Sequence, residues 1–147
     1  MFFYNYFFSP PIVWTGKRIV LAKINQIGDV TMSLPMASVL KKQDPTCKII
    51  FLGRAYTRSL ISLYADVDEV ADWDEIGHSS NPVKAMADLK ADIIINITQE
   101  KELYDMAYKA GIPVRIGTLR TAKTWFTCTH FVNIARNGTE RHETQLD

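Results

Sequence analysis

The sequence has two cysteines, Cys47 and Cys128, and neither stands in a Cys-x-x-Cys pair. That count is too low for a disulfide framework, and the spacing argues against structural zinc, so no metal site is expected. Both thiols are expected to be small buried hydrophobes in a reducing compartment. Glycine is sparse as well, with 7 in the chain, and the sequence contains neither Gly-x-Gly-x-x-Gly nor Gly-Lys-Ser/Thr. A nicotinamide-dinucleotide or ATP-binding reading thereby loses its main support, and a flavodoxin-like nucleotide binder is disfavoured for the same reason. Neither sign of charge is in excess, with 17 Lys and Arg against 16 Asp and Glu. A formal net charge of +1 argues against a bulk polyanion binder, so no nucleic-acid partner is expected. The chain also lacks a run of ~20 apolar residues, the length needed to span a bilayer.

The first sixteen residues, MFFYNYFFSPPIVWTG, contain no charged side chain. They form an aromatic extension, but the apolar stretch is short and is broken by Ser9-Pro10-Pro11. It also lacks the basic start and the small-residue cleavage site of a signal peptide. Two readings stay open for it. One is a poorly ordered tail; the other is an interfacial foot in which Phe2, Phe3, Tyr4, Tyr6, Phe7 and Phe8 rest on a membrane surface.

What remains is an ordinary globular sequence. Its 147 residues, 47% apolar and 22% charged, suit one domain with a real core. From Lys17 onward, short β-branched runs alternate with helical patterns. Strands are expected at Arg18–Ile24, Lys48–Leu52, Asp68–Asp72, Asp92–Thr98 and Val114–Gly117. Helices are expected over Asp29–Lys42, Tyr56–Tyr64, Lys84–Lys90 and Glu100–Ala110, with Pro35 starting or kinking the first of them. Asn81-Pro82 is a helix-start signal and Gly111 a stop signal. Trp73 to Ser80 reads as a polar loop. Alternation at this spacing implies a Rossmann-like α/β domain, a parallel sheet with helices on both faces. Ligands of such sheets bind outside the carboxyl ends of the strands. The functional rim is therefore expected in the loops after Ile24, Leu52, Ile97 and Ile116.

The segment Lys23-Ile-Asn-Gln-Ile-Gly-Asp29 carries the most chemistry. It joins the first strand to the first helix, where backbone N–H groups are free and the helix dipole is positive. Gly28 permits a tight turn and close approach of a substrate. Asp29 has two readings: a helix N-cap, or a carboxylate on the ligand rim that takes a proton from an attacking hydroxyl. In the second, positioning must supply much of the effect.

The run Ile19-Val-Leu-Ala-Lys-Ile-Asn-Gln-Ile-Gly-Asp-Val-Thr-Met-Ser-Leu-Pro-Met36 resembles the opening of the lipopolysaccharide heptosyltransferase family, glycosyltransferase family 9. That opening is a strand, then Lys-x-x-x-x-Gly-Asp-Val/Ile, then Leu-Pro three residues on; Lys23, Gly28, Asp29, Val30, Leu34 and Pro35 all match. Thr46 to Leu52, Val67 to Val70, Ala91 to Asn96 and Val114 to Gly117 resemble the family's following strands. Thr129-His130 and Arg141-His-Glu143 resemble the end of its acceptor half. The likeness runs nearly continuously from residue 17 to 147. It implies the N-terminal, acceptor-side domain of a two-domain GT-B enzyme, with 1–16 as an extension.

By that resemblance, Asp29 is the base of an inverting, metal-independent transfer of heptose from ADP-heptose to the inner core of lipopolysaccharide. ADP-heptose is then a donor substrate held mainly by a second domain, and no separate cofactor is implied. The chain stops where that second domain would begin, so the polypeptide by itself is expected to be inactive. The implied location is cytoplasmic, with peripheral contact at the inner membrane. Asn96 and Thr98 depart from the family's usual Asp and Gln.

The charge pattern fits an anionic acceptor. From Met106 to Thr139 there is no Asp or Glu, yet Lys109, Arg115, Arg120, Lys123 and Arg136 are all present. Guanidinium and ammonium groups recognise phosphate and carboxylate, although such a stretch also suits an ordinary solvated face. Lys123 matches a basic family position that contacts the acceptor. Lys23, Asn25, Gln26, Gly28, Arg54, Arg58 and Arg120 complete the expected acceptor-binding set. His78 is expected to be solvated. Isolated His130 and His142 make no metal site, though orienting roles are open to them. Trp73, Trp125 and Phe126 are expected to pack in the core or on the rim. The rival from another class is a truncated, non-catalytic module of the same fold that binds anions or sugars.

Overall fold

The computed structural model describes residues 11–118 and 122–132, with Ala122 and Lys123 described in backbone only. A single six-stranded sheet runs through it. The strands are β1 (Arg18–Ala22), β2 (Lys48–Gly53), β3 (Glu69–Asp72), β4 (Ile93–Asn96), β5 (Val114–Thr118) and β6 (His130–Val132), in the order β3-β2-β1-β4-β5-β6. Every pairing is parallel. The order steps outward from β1 in one direction and from β4 in the other, which is the doubly wound Rossmann arrangement.

Burial on both faces explains the near-continuous apolar strands. On one face Ile19, Leu21, Ile49, Phe51, Ile93 and Ile95 pack against Val30 of α1 (Ile27–Ser33), Ala37 and Leu40 of α2 (Pro35–Gln43), and Ile61 of α3 (Arg58–Ser62). On the other, Val20, Ile50, Leu52 and Ile94 meet Trp73 and Ile76 of α4 (Trp73–His78), Met86 of α5 (Pro82–Ala87), and Leu103 and Ala107 of α6 (Lys101–Lys109). A last helix, α7 (Ala122–Thr127), links β5 to β6. The expected helices on both faces of a parallel sheet are present.

Three local expectations need correction. The first helix is not continuous: it divides at Leu34, and Pro35 opens α2 at its first position, where the missing N–H costs nothing. Trp73–Ser80 is not a loop through its length. Asp72 accepts a hydrogen bond from the Asp74 N–H at 2.8 Å, and Trp73 and Ile76, three apart, are both buried. Cap and apolar pair together are enough to wind one short helix. Trp73 is core as expected, but Trp125 and Phe126 are exposed at 66% and 82%. Cys47 is buried and Cys128 half-buried. Gly111, at φ +73°, ends the α6 region as its position suggested.

The end of the sheet opposite the rim is pinned by ions. The Arg18 guanidinium pairs with Glu69 at 3.1 Å and also donates to the Leu89 carbonyl. Asp68 accepts from the Ile49 N–H and pairs with Lys41, each at 2.7 Å. Burial alone raises the Asp68 pKa, but those contacts, together with Lys48, outweigh it and hold the carboxyl below its ordinary value.

Candidate functional site

Where the strand order reverses, the connections leaving β1 and β4 diverge to opposite faces and leave a crevice at their carboxyl ends. The loop from Lys23 to Gln26 forms one wall, and Ile97 to Glu100 the other. The two are bonded directly. Ile97 N–H donates to the Ala22 carbonyl at 3.0 Å, Lys23 Nζ donates to the Ile97 carbonyl at 3.3 Å, and Thr98 Oγ1 donates to Asn25 Oδ1 at 2.8 Å. Tyr104 Oη in turn donates to the Thr98 carbonyl, which fixes the buried Thr98 from α6.

Asp29 lies in the first turn of α1, with Gln26 as the N-cap residue. The N-cap reading of Asp29 is therefore overturned: it is the third helical residue, and its side chain caps nothing. That side chain is 54% exposed, and Lys23 Nζ stands 4.0 Å away with its own side chain only 12% exposed. An exposed carboxylate therefore sits on the rim, backed by a nearly buried ammonium. Gly28 is in the same helical turn rather than in a tight turn, and a Cβ built there would meet nothing within 4 Å. The protein's own packing does not require a glycine at this point. Gln26 is exposed beside it.

The β2 end supplies scaffolding. Arg54 Nε donates to the Ile24 carbonyl at 3.0 Å, and its Nη1 bonds Asp74 at 2.7 Å. Tyr56 Oη donates to the Asn25 carbonyl at 2.8 Å. Arg54, expected to face an acceptor, therefore braces the β1 loop against α4, though over a third of its side chain stays exposed. Arg58 pairs loosely with Glu75 at 3.4 Å on the open surface. Asn25, Gln26, Gly28, Lys23 and Asp29 are brought together on one loop and turn, with Arg54 behind them.

Of the basic stretch, Lys109 and Arg115 have described side chains. Arg115 donates to the carbonyls of Thr127 and Ile112 and lies 5.2 Å over the Tyr108 ring, so it buttresses α7 from within. Lys123 is on α7, but its side chain lies outside the described residues, as do Arg120, Arg136, Arg141 and His142. His130 is buried with Nδ1 2.9 Å from Thr129 Oγ1. His78 is exposed, its Nδ1 2.7 Å from the Asp74 carbonyl. Asn96 is 3% exposed, and neither atom of its amide has a hydrogen-bond partner among the described residues. A separate groove of about 530 Å³ lies along α4, α5 and α6, lined by Arg54, Trp73, His78, Val83 and Met106 among others; Asp29 and Lys23 do not line it. Among the described residues, no three His, Cys, Asp or Glu side chains cluster as metal ligands, and no helix is long and apolar enough to cross a membrane.

Two site residues escaped the sequence reading. Thr98 was noted only as a strand end and a departure, and Tyr56 only as the start of a helix. Their contacts with Asn25 span 73 and 31 residues, and no local spacing signals such pairs.

The parallel six-stranded sheet with its rim at the β1–β4 reversal is a Rossmann-like fold, and it matches part of solved glycosyltransferases of the GT-B architecture. Solved structures give that class specific relatives in shape. A glycosyl transferase family 9 structure from Veillonella parvula DSM 2008 matches at TM-score 0.73, with 21% identity over 88% of this chain and 38% of its own. The ADP-heptose lps heptosyltransferase II of E. coli matches at 0.68, with 22% identity over 81% and 35%. The E. coli heptosyltransferase WaaC with ADP matches at 0.70, with 17% identity over 88% and 44%. The chain thus spans well under half the length of each. No protein-family model and no curated protein matches the sequence. At these identities the likeness establishes the fold.

Proposed function

We propose that the domain is the acceptor-binding half of an inverting glycosyltransferase that moves heptose from ADP-heptose to the inner core of lipopolysaccharide. The observation that carries this reading is the exposed Asp29 carboxylate on the rim with Lys23 Nζ 4.0 Å behind it. In the reaction, an acceptor hydroxyl loses its proton to Asp29 as its oxygen bonds to the anomeric carbon of the donor sugar. The bond from that carbon to the diphosphate breaks on the opposite face, and ADP leaves with the electron pair, so the anomeric centre inverts. Lys23 holds the carboxylate in place and offsets charge near it. Asn25, Gln26 and the open surface at Gly28 line the approach, and Arg54, Arg58, Arg120 and Lys123 are the cations assigned to acceptor phosphates and carboxylates. The donor sits on a second domain, as the partial span of the solved relatives supports.

The test pairs this domain with its donor-binding half and follows ADP release from ADP-heptose on deacylated inner-core oligosaccharide. Asp29→Ala is expected to lower turnover by about 10²–10⁴-fold, the range for loss of a general base, with the melting curve unchanged. Turnover within threefold of the parent removes Asp29 from the chemistry. Oligosaccharide binding without any turnover by the parent favours the non-catalytic module instead.

A further inference from the structure

We propose that Tyr56 is a positioning residue, its ring forming an aromatic wall against which the acceptor sugar lies while presenting a hydroxyl to Asp29. The proposal rests on the acceptor-site reading above and adds the group that orients the ring. Tyr56 follows β2 in a 3-10 turn, Ala55–Thr57, and is 59% exposed. Lone exposed aromatics are ordinary on protein surfaces. What sets this one apart is that its polar end is already engaged, because Oη donates to the Asn25 carbonyl at 2.8 Å. The surface it shows to solvent is therefore mainly ring carbon.

The ring is also held at both ends. Its backbone sits in a turn whose Thr57 is buried and bonded to Arg54, and its hydroxyl is fixed to the loop that leads into Asp29. Ile27, the first residue of α1, is 53% exposed, and nothing stands within 4 Å of a Cβ built on Gly28. The rim that carries Asp29 thus exposes two apolar side chains, Tyr56 and Ile27, along with the polar Gln26. A pyranose ring has the complementary surface: a face of C–H bonds edged by hydroxyls. Stacking that face on a pre-placed ring fixes which hydroxyl points at Asp29, with little ordering cost because the aromatic is immobile beforehand.

The experiment titrates deacylated inner-core oligosaccharide into the chain and into Tyr56→Ala and Tyr56→Phe, with saturation-transfer NMR from the aromatic protons. The expected result is at least tenfold weaker binding for Tyr56→Ala, recovery to within about threefold for Tyr56→Phe, and transfer to sugar C–H protons that disappears only in Tyr56→Ala. Recovery by phenylalanine separates a ring contact from a merely structural hydroxyl. Binding by Tyr56→Ala within twofold of the parent overturns the wall while leaving the Asp29 reading standing. A parent that fails to bind the oligosaccharide overturns both.

Discussion

Gly28→Ala separates what the fold wants from what a ligand wants. The glycine occupies the second position of α1, its φ is not in the left-handed region, and a Cβ there meets no atom within 4 Å. Alanine in place of glycine gains backbone entropy worth about 0.5–1 kcal/mol in a helix, and less at a frayed end. For a chain of this size that gain raises Tm by roughly 2–4 °C. The same methyl projects into the space beside Asp29. If an acceptor sugar fills that space, displacing it costs about 1–3 kcal/mol by analogy with overpacking, or roughly a 5- to 150-fold loss of affinity. Differential scanning fluorimetry and the oligosaccharide titration read the two effects independently. A Tm that falls by several degrees refutes the geometry at this turn. A higher Tm with unchanged affinity refutes the claim that the glycine serves a ligand.

Gly53→Ala is expected to do the reverse to stability, because its Cβ would stand 2.7 Å from Ile61 Cδ1 and 2.8 Å from Thr57 Oγ1; urea unfolding should show a loss of about 1–3 kcal/mol. Asn96→Leu replaces a buried amide that has no partner among the described residues with an apolar side chain of similar volume, so unfolding should show a gain of about 1 kcal/mol, and a loss would count against an unpaired amide there. Burial pushes the Cys128 thiol up to about 11 from 9.0. The unfolded chain then gives up that proton first, so stability is full below pH 9 and falls as pH rises towards 11. Cys128→Ala should flatten that limb in a pH series of thermal melts.

Much of the fold was legible because buried parallel strands write themselves plainly: Ile19 to Ala22, Lys48 to Leu52 and Ile93 to Asn96 need no long-range information to be recognised. Pro35 also announced a break, although not that two separate helices would result. The misses have physical causes. The helix at Trp73 rests on a single turn of apolar spacing plus a carboxylate cap, a signal diluted by its charged neighbours. The edge strand His130–Val132 has three residues and is half-buried, so it carries too little periodicity to read. At the site, Lys23, Asn25, Gly28 and Asp29 came from one contiguous motif, whereas the brace by Arg54 and the tether by Tyr56 exist only once β2 lies beside β1. Charge misled in the same way: Arg115 counts as a cation in the sequence, yet its half-buried guanidinium is engaged by two carbonyls and the ring of Tyr108.

The carbonyls of Ile24 and Asn25 receive donors from Arg54 and Tyr56 after β2, and the side chain of Asn25 receives one from Thr98 after β4. A rim loop restrained at successive atoms by its neighbours has few alternative shapes to sample. For the proposed acceptor, recognition at such a mouth would resemble a key entering a cut lock: selectivity would come from contour, and association would need no slow rearrangement of this segment.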